Sequence, residues 1–263
     1  MRKRLYILII VFLLIALFFV IWKFNKNKIS VFLNYNDFVV EGDTIVKYNS
    51  SGNVVIPKEI NGIVIKKIGD YAFYNKDIDS IFIPDTITTI GSYAFAQNNL
   101  KSLKVPSSIS LIGEGAFMNN KISDLEINNA ITLGNACFNN NLLSSDEAFF
   151  YSNNKNKELI SYGGFIKGNV VIDDGVEVIG EKAFYKTEIV SISIPDSVYE
   201  IKKEAFRGNN LVEVFLSNNI SLIADNSFID NNYLVNVTID NKESSILNYP
   251  WGLDNSNILW LKK

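Results

Sequence analysis

Apolar and polar positions along this chain repeat one short phrase: an Ile or Leu, usually Gly, two variable residues, a small residue and Phe. It spans Ile68–Phe73, Ile90–Phe95, Ile112–Phe117, Leu133–Phe138, Ile179–Phe184, Ile201–Phe206 and Ile223–Phe228. Successive phenylalanines are 22, 22, 21, 46, 22 and 22 residues apart. A fixed period of this size marks a stack of units, none of which buries its apolar face alone.

Within one period the pattern changes twice. Leu100, Leu103 and Val105 follow L-x-x-L-x-L, and the last alternation has the period of a strand, with Leu103 and Val105 inward and Ser102 and Lys104 outward. Pro106 lacks an N–H and suits the point where the chain leaves the sheet, as do Pro84 and Pro195. The return segment then buries Ile109, Ile112 and Phe117, with Gly113 relieving the turn and Ala116 permitting close backbone approach. Stacking predicts a parallel β-sheet of about eight coils with short helical or irregular return segments and a central column of Phe rings. At about 4.8 Å per coil the sheet runs roughly 35 to 40 Å.

Five residues before the inward strand residue stands an Asn, at Asn98, Asn120, Asn209 and Asn232. Either these amides pair with the backbone from coil to coil, or they form an exposed polar turn in an Asn-rich chain. The run Asn139, Asn140 and Asn141 reads as compositional bias.

The same register gives the outward surface. One row holds Val55, Phe82, Lys104, Glu126, Val171, Ser193, Phe215 and Thr238, and a second holds Ser80, Ser102, Asp124, Ser191, Glu213 and Asn236. Phe82 and Phe215 sit between inward residues, so neither joins the core without a register shift. With Lys104 and Glu126 they are the candidate ligand-binding residues, exposed aromatics being common interface anchors, although singly exposed apolar residues are also ordinary.

The first residues break this pattern. Leu5–Trp22 is an uncharged run of 18 residues between Arg2, Lys3, Arg4 and Lys23. It is long enough for a transmembrane helix, and "FFVIWKF" lacks the small residues of a signal-peptidase site. The expectation is a signal anchor at 5–22 with residues 1–4 cytoplasmic, a linker at 23–36 and the repeats extracellular. The linker reaches at most about 50 Å.

Composition narrows the chemistry. There is no His, which removes the usual general base and the commonest zinc ligand. The single Cys137 stands where other units carry Ala and reads as a buried apolar residue. Residues 37–263 hold 19 Lys plus Arg against 28 Asp plus Glu, a net charge of −9, so nucleic acid is not an expected partner. Asp124 and Glu126 are two apart on one strand, about 6.6 Å between Cα atoms, yet nothing around them suggests a cleft or nucleophile. No phosphate loop or metal-ligand spacing is present, and the sequence predicts no enzyme, cofactor, metal or small-molecule substrate. The sequons at Asn49, Asn219 and Asn236 carry little weight in so Asn-rich a chain.

These units resemble the BspA-like, Treponema-type leucine-rich repeats, whose unit reads roughly L-x-x-I-x-I-P-x-x-V-x-x-I-G-x-x-A-F-x-x-C. The likeness covers about residues 37–240; where the family carries Cys after Ala-Phe, this chain has Asn or another residue. The resemblance implies a leucine-rich repeat solenoid with an entry cap and first repeat at 37–76, repeats at 77–142, an inserted hairpin at 143–167, repeats at 168–240 and a C-terminal cap at 241–263. The hairpin strands are expected near Phe149–Tyr151 and Leu159–Tyr162, and Trp251 and Trp260 over the open end of the core. The resemblance also implies a cell-surface adhesion or interaction protein that binds a protein or glycan ligand at the cell envelope. The alternative is a structural or sensory envelope protein docking onto a membrane or cell-wall partner.

Overall fold

The computed structural model describes residues 35–128, 130–152, 157–242, 245–246, 250–253 and 258–262. The expected anchor at 5–22 lies outside the described residues. Among those described, no helix is long and apolar enough to cross a membrane.

The described residues form a coil of short strands. An antiparallel hairpin, β1 (Phe38–Glu41) and β2 (Thr44–Tyr48), opens it. There follow β3 (Gly52–Val55), a small hairpin of β4 (Glu59–Ile60) and β5 (Ile63–Val64), β6 (Lys67–Ile68), β7 (Ile78–Phe82), β8 (Thr89–Ile90), β9 (Ser102–Lys104), β10 (Leu111–Ile112), β11 (Asp124–Glu126) and β12 (Thr132–Leu133). A second hairpin, β13 (Phe149–Tyr151) and β14 (Glu158–Tyr162), starts a new series. It continues through β15 (Asn169–Val171), β16 (Val178–Ile179), β17 (Ser191–Ser193), β18 (Glu200–Ile201), β19 (Glu213–Leu216), β20 (Leu222–Ile223), β21 (Asn236–Ile239) and β22 (Ile258–Trp260).

Two ladders run along the stack. The return ladder is split in the order β1-β2-β6-β8-β10-β12 and β13-β14-β16-β18-β20, so each half begins with an antiparallel, bulged hairpin and continues in parallel. The display ladder consists of β3-β7, β9-β11, β15-β17 and β19-β21-β22. With the hairpin strands β1 and β13 set aside, each ladder contributes nine strands among the described residues where about eight coils were expected. The additional display strand is β22, in the segment that breaks the sequence period, and it pairs in parallel with β21.

The return segments are not helical. Their only regular structure is a two-residue strand, and the helix among the described residues amounts to two 3-10 turns, Tyr35–Asp37 and Ser145–Glu147. The reason lies in two left-handed residues per coil. Tyr71, Tyr93, Gly115, Ala136, Lys182, Glu204 and Asn226 all have φ between +55° and +59°, and Asn75, Gln97, Asn119, Asn140 and Lys186 form a second such column. Positive φ stops a right-handed helix. Gly113 does not supply this turn, contrary to the sequence reading. A Cβ there would lie 2.6 Å from the Ser92 amide nitrogen, so its role is close approach of adjacent coils.

The Phe column is the core. Phe73, Phe95, Phe117 and Phe138 stack with centroids 4.8, 5.2 and 5.6 Å apart, and Phe150 of β13 extends the pile at 4.5 Å. Tyr48 closes the first end, 4.9 Å from Phe73. Tyr162 heads the second pile, 5.3 Å from Phe184, with Phe206 and Phe228 following at 5.2 Å each. Trp251 is buried at its far end and meets Trp260 edge-on. Cys137 is fully buried, and burial pushes its thiol up to about 12.

The Asn ladder is real, and its register runs from Phe. Three residues after each Phe, Asn98, Asn120, Asn141, Asn209 and Asn231 donate to the carbonyl of their own Phe and to that of the preceding coil; Asn98 reaches Phe95 and Phe73 at 2.9 and 2.8 Å. Each Oδ1 accepts an amide from the preceding coil, as Asn98 does from Ile78 at 3.1 Å. Asn232 is therefore not a member; the last coil has one extra residue between Phe228 and its strand. Thr187 takes the slot after Phe184. The run Asn139, Asn140 and Asn141 is structural, not compositional. Asn139 donates to Lys182 and Tyr185 carbonyls at 3.0 and 3.2 Å and accepts from Ser161 Oγ and the Tyr162 amide, which joins the halves across the hairpin.

Candidate functional site

Period-two alternation along the display strands turns one side chain inward and the next to solvent, and parallel pairing lines up the outward ones. Val55 pairs with Phe82, Lys104 with Glu126, Val171 with Ser193, and Phe215 with Thr238 and through it Leu259. The second row pairs Ser102 with Asp124 and Glu213 with Asn236. Inward partners are buried: Val54, Leu103, Val170, Ile192, Val214 and Val237.

The candidate residues occupy different parts of this surface. Phe82 is 57% exposed and forms one wall of a hollow of about 260 Å³, lined also by Lys58, Ile81, Ile83, Asp85, Lys104 and Pro106. Phe82 and Lys104 thus share one site. An ion pair of 2.6 Å between Lys58 and Asp85 marks its rim, and the hydrogen bond and charge of Lys58 hold the Asp85 carboxyl below its usual range. Lys104 turns to Glu126 on the next strand, and that hydrogen bond raises its pKa. Glu126 is committed to this exposed pair, and Asp124 lies beside Ser102 in the other row. Phe215, 51% exposed, is on the far side of the second hairpin beside Thr238 and Leu259. The four residues therefore belong to two patches, one around Phe82 edged by the Lys58–Asp85 and Lys104–Glu126 ion pairs and one around Phe215 and Leu259. The sequence reading missed Leu259 because its strand lies outside the 22-residue period.

A polar cluster on the turn edge was also missed. Tyr71 stacks on Tyr93 at 5.2 Å, Tyr93 donates to Glu114 at 2.6 Å, and Lys182 reaches Glu114 from the second half at 2.6 Å. Burial works to raise the Glu114 carboxyl, but the hydrogen bonds from Lys182 and Tyr93 outweigh it and the net direction is down. Every member has a partner, so the cluster is a strut between the halves. Among the described residues no group of three or more His, Cys, Asp or Glu side chains is gathered to hold a metal.

No curated protein matches the sequence. Among solved structures, a leucine-rich repeat protein from Eubacterium ventriosum shares the fold at 20% identity and a TM-score of 0.61, over 80% of this chain and 58% of that one. A leucine-rich cell surface protein from Faecalibacterium prausnitzii is 25% identical over 78% of this chain and 53% of its own, with a TM-score of 0.40. The pneumococcal vaccine antigen PcpA is 18% identical over 76% of this chain and 78% of its own, also at 0.40. This chain thus spans little more than half the length of the first two. Residues 66–162 and 165–251 match the BspA type leucine-rich repeat region in six copies, and the chain belongs to that family.

Proposed function

We propose that the protein is a membrane-anchored, extracytoplasmic interaction module that binds a protein or glycan at the cell envelope through its display sheet. The observation that carries the reading is the pair of exposed Phe-centred patches on the outward side of the display strands. Desolvating an exposed ring gains more than desolvating the Ser and Asn around it, so Phe82 and Phe215 are the anchors and Lys104 and Glu126 the polar edge. The patches lie on opposite sides of the second hairpin, which favours an extended partner over a compact one. Family membership supports the interaction role, and the basic-flanked run Leu5–Trp22 supports the anchor. The chain's acidic balance disfavours nucleic acid as the ligand.

The test is capture of the partner in intact cells by crosslinking, followed by affinity measurement with Phe82→Ser, Phe215→Ser and the double variant. If each ring contributes about 1.4 kcal/mol, the double variant binds roughly a hundredfold more weakly with an unchanged melting temperature. Unchanged affinity would remove the display sheet as the binding face and favour the structural reading.

A further inference from the structure

The second hairpin leaves a defect in both ladders, and the defect is chemically specific. The display ladder is interrupted after β7, β11 and β17, but only after β11 does the next coil lack a display strand. After β11 the next coil should supply residues 144–148 as a strand, but they form a 3-10 turn and lead into β13. β11 therefore pairs with β9 alone and is an edge strand, and the return ladder breaks at the same level between β12 and β13. The Glu126 carbonyl accepts from the Val105 amide on the closed side, so backbone alternation turns the amide and carbonyl of Leu125 to the open side.

A cavity of about 360 Å³ occupies this break. Its walls are Leu125, Ile127, Ile131 and Leu133 from the last coil of the first half and Phe149 and Phe150 from the hairpin, and its charged lining residue is Glu147. Tyr151 separates it from a second hollow of about 310 Å³ carrying Asp173, Asp174 and Lys157. The floor is thus apolar and the rim predominantly acidic.

We infer that this trough is a strand-addition site for an extended peptide in which apolar side chains alternate with Lys or Arg. Three features select that occupant. An edge strand is satisfied by another extended backbone, which a helix about 10 Å wide cannot supply. Period-two side chains place every second residue on the apolar floor and the intervening ones against Asp124, Glu147 and Asp174. An acidic rim favours cationic partners and repels acidic ones. The site is independent of Phe82 and Phe215.

The probe is a capped seven-residue peptide of alternating Lys and Val, titrated onto the protein, with hydrogen exchange read at Leu125. The inference predicts saturable binding, slowed exchange of the Leu125 amide, and at least tenfold weaker binding of two controls: the Glu–Val peptide and the Lys–Val peptide N-methylated at alternate residues. Glu147→Lys, an exposed change, weakens binding tenfold or more, whereas Glu213→Lys on the distant strand β19 and the double Phe82→Ser, Phe215→Ser variant leave it unchanged. Equal binding of the N-methylated peptide would overturn strand addition. Equal losses from Glu147→Lys and Glu213→Lys would reduce the effect to general charge attraction and overturn the site. Loss of peptide binding in the Phe double variant would merge it with the display face and overturn its independence.

Discussion

Asn139→Ala is predicted to be among the most damaging single polar changes in the protein. The side chain is fully buried and makes four hydrogen bonds: to the Lys182 and Tyr185 carbonyls and from Ser161 Oγ and the Tyr162 amide, at 3.0, 3.2, 2.7 and 3.0 Å. Truncation leaves those groups with no water to replace the amide. At about 1 kcal/mol per buried bond, the loss is about 3 to 5 kcal/mol. Cooperativity should suffer as well, because these bonds link residues 43 and 46 positions apart across the hairpin. Trp251 and Trp260 lie in the second half, so in a Trp22→Phe background tryptophan fluorescence reports that half while far-UV circular dichroism reports both. In urea, the native protein should give coincident transitions. Asn139→Ala should shift the midpoint down and separate the two signals. A loss below about 1 kcal/mol with coincident transitions would refute the clasp.

Three further outcomes follow from the packing. Phe117→Ala removes a fully buried ring between Phe95 and Phe138 and should cost about 3 to 5 kcal/mol, against well under 1 for Lys104→Ala, measured by chemical denaturation. Because the folded-state pKa of Glu114 is lowered, its contribution is present above the ordinary glutamate value near 4.5 and is lost as pH falls through the folded value; Glu114→Gln should flatten that acid limb of the melting curve, with a modest effect because the pair is partly exposed. Gln97, exposed at φ +58°, should be stabilised by about 0.5 to 1 kcal/mol on change to Gly, whereas Gln97→Val should melt lower.

The elements legible in the sequence are those set by strict periodicity. Alternation of two placed Leu103 inward and Phe82 and Phe215 outward, and the 22-residue step placed the Phe column. What escaped was set by backbone geometry or by a change of register. The left-handed columns are occupied by Tyr71, Tyr93, Lys182 and Glu204, residue types that carry no turn signal, so they were read as irregular or helical returns. Asn232 was chosen over Asn231 by counting back from the strand, although the amide bonds its own Phe and keeps its distance from that ring. Asn139 makes contacts specific to the junction, so no repeat announces it. The two-patch arrangement of Phe82 and Phe215 follows from the second hairpin, whose effect on the sheet depends on how β13 displaces a strand.

The binding claim is tested most directly by photo-crosslinking in intact cells, with a photoreactive residue placed in turn at positions 82, 215 and 110, Ser110 being exposed on the return side beside β10. The account predicts that positions 82 and 215 capture the same envelope partner and position 110 does not. Equal capture from position 110, or different partners from 82 and 215, would contradict a display sheet that binds one extended ligand.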